Sequence, residues 1–235
     1  MRVVVSGYRR TGTSAMMCAL VDSLVPPFAV GTSNDDWGVG NVPDEDGYIP
    51  CPGPLFEVGG SAYCNAQFLR NMPNDVLIKI FFDGLPNLPA GEYVVIWMYR
   101  DPEEVAASLE RAEKHIIDWA LKTHGTSEEK TKQRNARIER TFCVYRDYNQ
   151  DDIDHVLGIV DQRKDIRLIE VDYADLIANP RKVFKRIKKH LDIDIDKAVK
   201  AIKPEFYRAR KTDDDSKDRN TGRAAASIDT ANEKG

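Results

Sequence analysis

The chain has 235 residues, 42% of them hydrophobic and 31% charged, enough apolar material for one sizeable core. Its net charge of −4 gives no global pull toward nucleic acid. The longest apolar runs, such as VVIWMY at 94–99, are strand-length and too short to cross a bilayer. With no leader pattern before the first apolar run, a cytoplasmic chain is expected, with no membrane and no nucleic-acid partner.

RVVVS (2–6) is a β-branched run suited to a strand buried on both faces. GYRRTGTS follows, and TSAMMCALVDSL (13–24) has helical spacing that stops before Pro26 and Pro27. Residues 26–54 are rich in Gly, Pro, Asp and Asn without periodicity, which predicts a lid or substrate loop. Trp37 and Tyr48 within it suit stacking on a sugar or aromatic ring.

Residues 63–72 read as a helix, and VLIKIFF (76–82) and YVVIWMY (93–99) as buried strands. Pro102 opens a helix to about Lys122, with Glu103 and Glu104 favourable for its dipole. Helices are expected at 127–148 and 151–162, a last strand over 166–173, an amphipathic helix over 180–191 and a short helix over 196–202. In the helix over 180–191, Val183, Ile187 and Leu191 fall on one side. Strands alternating with helices predict an α/β fold of three layers, with a central, mostly parallel sheet between helices. The domain is expected over 1–211. From Thr212 to Gly235 the only large apolar residue is Ile228, and the composition there is that of a flexible tail.

Cys18, Cys51, Cys64 and Cys143 show no C-x-x-C pair and no His at ligand spacing, so four reduced thiols and no metal are expected.

The first loop almost spells the Walker pattern G-x-x-x-x-G-K-[ST], with Gly7 and Gly12 at the right spacing and Thr13 where the lysine belongs. A glycine loop between a strand and a helix offers backbone N–H groups to an anion whatever side chains follow. The Walker lysine grips the β and γ phosphates of a triphosphate, and Thr13 cannot. Arg9 and Arg10 approach from another angle, which suits a shorter anionic chain. In YRDPEEVAASL (99–109), Arg100 ends a buried strand and Ser108 lies on the helix that follows. That puts Arg100 at the carboxyl end of the sheet, where open α/β folds bind ligands. Pairing of Arg100 with Asp101, or a helix-capping role, is the plainer alternative.

GYRRTGTSAM and RDPEEVAAS together resemble the two nucleotide-binding segments of the sulfotransferases that use 3′-phosphoadenosine-5′-phosphosulfate (PAPS). A third stretch, VDYADLIANPRKVFKRIKKHLDID, resembles that family's Y-E-D-L-x-x-[DN]-P segment and its helix, and the likeness runs over about residues 3–210. It implies a P-loop-like α/β/α fold and a metal-independent enzyme that moves a sulfuryl group to a hydroxyl or amine of a small-molecule or carbohydrate acceptor. It further implies that Arg10, Thr11, Gly12, Thr13 and Ser14, beside Arg9, hold the 5′-phosphosulfate. Arg100 and Ser108 would then hold the 3′-phosphate, and Lys79 would neutralise charge at the transferring group.

The chain departs from the pattern in three places. Thr11 stands for a serine. Phe81 stands where the cytosolic members carry a catalytic histidine. The tail offers only RARK and NTGR for the segment that closes over the nucleotide. None of His115, His124, His155 or His190 lies near a motif, and the resemblance then implies a carboxylate base, as in the carbohydrate and tyrosine members whose base is a glutamate: Glu57 in PLFEVGG, similar to that glutamate segment, first, and Asp83 second. Two other readings compete: an atypical P-loop kinase with Asp101 in the Walker B role, and a nucleotide-binding module without catalysis.

Overall fold

The computed structural model describes residues 1–25, 29–30 (as backbone), 71, 73–112 and 150–204. Five strands form one sheet in the order β2-β3-β1-β4-β5: β1 (Arg2–Gly7), β2 (Ala29–Val30), β3 (Val76–Lys79), β4 (Tyr93–Tyr99) and β5 (Ile166–Asp172). Every pairing is parallel, with Val5 opposite both Lys79 and Ile96.

The described helices are α1 (Thr13–Val21), α2 (102–112), α3 (Gln150–Asp161), α4 (Tyr173–Ala178), α5 (Pro180–Ile187) and α6 (Ile195–Ala201). Because side chains alternate along a strand, β1 feeds two cores. Val3 and Val5 pack with Met16, Leu20, Leu176, Phe184 and Ile187 from α1, α4 and α5. Val4 packs on the other face with Val95, Trp97, Val105, Ile153 and Val156, beneath α2 and α3. Helices on both faces of a parallel sheet make the expected three-layer α/β/α arrangement, and the apolar stretches at 3–5 in β1 and 94–98 in β4 follow from double-sided burial.

β1 lies in the middle, with β3 on one side and β4 on the other. The crevice at the carboxyl ends of these three strands is where doubly wound sheets bind ligands. The first loop, Lys79 and Arg100 all stand there.

Four sequence expectations need correction. Ala29–Val30, read as part of a structureless loop, pairs with Val76 and Leu77 as an edge strand. The strand expected to Phe82 ends at Lys79, and Phe82–Asn87 curls into a 3₁₀ turn containing Pro86. Tyr173, expected to close the last strand, instead begins α4. There the Asp172 carboxylate accepts from the Ala174 N–H at 2.7 Å, a cap that ends the strand and starts the helix.

The helix expected over 180–191 ends at Ile187, although Val183, Ile187 and Leu191 are all buried as the spacing demanded. Cys18 is a free thiol. Cys51, Cys64 and Cys143, the 31–54 part of the lid, the helices expected at 63–72 and 127–148, and the tail fall outside the described residues, apart from Asn71 at the end of the first of those helices.

Candidate active site

The loop after β1 is shaped by its two glycines. Gly7 has φ 150°, and a Cβ there would lie 2.3 Å from the Met98 carbonyl oxygen on β4. Gly12, the residue before α1, has φ 94°, and its Cβ would lie 2.3 Å from the Tyr173 ring. Both positions exclude a side chain by contact and by backbone conformation. Arg10 also adopts a left-handed conformation, φ 66°, although it is not glycine. Such a conformation persists only where its surroundings impose it. Here the Arg100 Nη1 donates to the Arg10 carbonyl at 3.2 Å, and the Arg10 Nε donates to the Ser108 Oγ at 3.0 Å. Thr11, buried between, donates through Oγ1 to the Tyr8 carbonyl at 2.7 Å.

Arg100 is 7% exposed and pairs with Glu104 at 2.9 Å, one helical turn on. The plainer alternative weighed from the sequence, a pair with Asp101, is not the one formed. Asp101 instead caps α2, accepting from the Glu103 N–H at 2.9 Å and the Glu104 N–H at 3.3 Å. That occupation counts against Asp101 as a Walker B carboxylate. The Arg100 guanidinium also lies 5.1 Å over the Tyr173 ring. Tyr173 thus touches the loop through Gly12 and the arginine through its π face. Its hydroxyl pKa is raised by burial, with Arg100 and Arg10 pulling the other way.

Lys79, at the end of β3, is 2% exposed, and its Nζ donates to the Ser14 Oγ at 3.2 Å. A buried ammonium needs anions or dipoles around it, and the first turn of α1 supplies a hydroxyl. Arg9 stacks 4.7 Å over Phe81, which is also 5.7 Å from the Lys79 Nζ. So the position where relatives carry a histidine holds a cation-stacking ring. Asp83 stands at the 3₁₀ turn. Its carboxyl is raised by desolvation, partly countered by the Arg9 charge.

Of the residues singled out from sequence, Arg9, Arg10, Thr11, Gly12, Thr13, Ser14, Lys79, Arg100 and Ser108 gather at the carboxyl ends of β1, β3 and β4, with Asp83 next to Arg9. Glu57 lies outside the described residues, as do His115 and His124. His155 is exposed on α3, and His190 meets Arg167 at 3.0 Å beyond the outer side of β5, away from the loop. Sequence reading missed two members. The carboxylate pairing Arg100 is Glu104, readable in principle from the i,i+4 spacing. The ring against Gly12 is Tyr173, which stood in the stretch resembling Y-E-D-L-x-x-[DN]-P but was given no role there.

A family model described as Sulfotransferase domain matches residues 64–234, well over half of the chain. The chain belongs to the sulfotransferase family. No curated protein matches it. The matched span contains Lys79, Arg100, Ser108 and Tyr173 but begins after the first loop. The loop is nonetheless bonded to sulfotransferase-domain residues at three points, through Arg10 to Ser108, Arg100 to Arg10 and Lys79 to Ser14.

Proposed function

We propose that this sulfotransferase takes PAPS as its donor and passes the sulfuryl group to a hydroxyl or amine on a small-molecule or carbohydrate acceptor, without a metal. The observation that carries this reading is the direct bond between Arg10 of the first loop and Ser108 of the second segment. Two anion-binding elements 98 residues apart in sequence are locked together, which suits one ligand with an anionic group at each end.

The residues fit such a donor. Loop N–H groups, Thr13 and Ser14 would hold the 5′-phosphosulfate at the start of α1. Arg100 and Ser108 would hold the 3′-phosphate. Glu104 pre-orients Arg100, so fewer rotamers are lost when the anion arrives. Lys79 would place positive charge where negative charge develops during transfer.

The 3′-phosphate should therefore decide affinity. Calorimetry is expected to show tighter binding of 3′-phosphoadenosine-5′-phosphate than of AMP. Arg100→Ala should shrink that preference by about 1.5–3 kcal/mol, and Ser108→Ala by about 0.5–1.5 kcal/mol. Ser108→Ala leaves no charge buried alone, so it keeps the test valid if Arg100→Ala folds poorly through loss of the Glu104 partner. Equal binding of the two nucleotides by the wild type would remove the assignment.

The same reading makes binding independent of magnesium, because magnesium in Walker proteins bridges β and γ phosphates that this donor lacks. Titration in excess EDTA should give nearly the affinity measured with magnesium. A strict magnesium requirement, or stronger thermal stabilisation by magnesium–ADP than by 3′-phosphoadenosine-5′-phosphate, would favour the kinase reading.

A further inference from the structure

A second cleft, of about 260 Å³, opens on the face of the sheet opposite Gly12 and Tyr173. Its walls include Tyr8, Thr11, Trp97, Tyr99, Gln150 and Glu170, and Ile153 and Leu157 of α3 add an apolar side. Three aromatic rings, one carboxylate and one amide line it, with no lysine or arginine among the described lining residues. This composition is opposite in sign to the cationic crevice around Lys79 and Arg100.

Tyr99 is 43% exposed at the mouth, an unusual position for a large ring at the end of an otherwise buried strand. Its surroundings are acidic: beyond desolvation, Asp172, Asp175 and Glu170 all raise its hydroxyl pKa, and Arg186 alone lowers it. The Arg186 guanidinium is itself engaged with the Glu170 backbone carbonyl.

We propose that this cleft binds an organic cation, an ammonium group carried on a single ring or short apolar arm. Aromatic faces attract a cation through the ring quadrupole, most strongly where water is excluded. A carboxylate at the rim adds a charge-assisted hydrogen bond. The volume is at the small end for ligand pockets, which limits the occupant to about one ring. An anionic ligand would meet Glu170 and no cation among the described lining residues, and a neutral sugar would leave the carboxylate unused. Tyr8 and Thr11 belong to the first loop, so the cleft adjoins the donor crevice; the claim concerns binding of the cation alone.

The test uses the full chain, 2-phenylethylammonium as probe and 2-phenylethanol as its neutral counterpart, with affinities from ligand-observed NMR. The ammonium is expected to bind about tenfold more tightly than the alcohol. Glu170→Gln should remove most of that preference, and Tyr99→Leu should weaken the ammonium severalfold; both residues are solvent-facing, so the fold is expected to survive. Affinity for 3′-phosphoadenosine-5′-phosphate, measured on the same samples, should stay unchanged, and it reports folding independently. Equal affinity for the two probes, no saturable binding of the ammonium, or an undiminished preference in both variants would overturn the proposal.

Discussion

Lys79→Met is expected to lower turnover by about 10²–10³, well beyond what the accompanying change in melting temperature accounts for. The two halves of that outcome have different causes. Removing one preorganised charge that faces developing negative charge costs catalysis on this scale. Stability responds through a different route: Lys79 is buried, 2% exposed, and donates to Ser14 Oγ among other contacts, so its loss leaves partners unmatched while methionine, close to it in volume, opens no large cavity. Labelled-sulfate transfer and calorimetric melting measure the two quantities separately. A large drop in melting temperature with proportionate loss of activity would make Lys79 a structural residue. Full activity would remove it from the transfer step.

The parts of this protein that were legible in sequence are those whose cause is local. β4 and residues 3–5 of β1 are apolar runs because helices cover both faces of the sheet. Gly7 and Gly12 stood out by their spacing, and the structure gives the reason for each, one against the Met98 carbonyl and one against Tyr173.

The errors occurred where a nonlocal term won. Phe81 and Phe82 prolonged an apolar pattern, yet the ladder ends at Lys79 and the chain turns on Phe82–Asn87. Ala29–Val30 is too short to carry a strand period and pairs only because β3 presents an edge. Tyr173 is 161 residues from Gly12, and nothing in either neighbourhood announces their contact. The alternative pairing of Arg100 with Asp101 gave way for a different reason. Its role was decided by the N–H groups of α2, which need a cap, and that left Glu104 to meet Arg100.

The base that takes the acceptor proton is the step the described residues constrain least, and its loss carries the largest expected effect. Phe81 cannot serve, and its contacts with Arg9 and Lys79 show a ring used for packing cations. We propose Glu57 as the base, on the resemblance of PLFEVGG to the glutamate segment of the family, with Asp83 second. Glu57→Gln is then expected to keep affinity for 3′-phosphoadenosine-5′-phosphate and to lower turnover by about 10²–10⁴, the range for loss of a general base.

Asp83 makes a distinguishable prediction through pH. Desolvation raises its carboxyl above the ordinary aspartate value, and the Arg9 charge only partly offsets this. A base acts deprotonated, so turnover dependent on Asp83 would lose its acidic limb at a higher pH than an ordinary carboxylate would. The stability effect has a matching sign. A carboxyl whose folded pKa is raised burdens the fold once ionised, so wild type loses stability as pH rises through that range. Asp83→Asn should then be at least as stable as wild type near neutrality, with the difference fading below the ordinary aspartate range. Near-wild-type turnover in Glu57→Gln with collapse in Asp83→Asn, and a raised acidic limb in the wild type, would transfer the role to Asp83. Little effect from either variant would mean that the proton leaves to the acceptor's own group or to solvent.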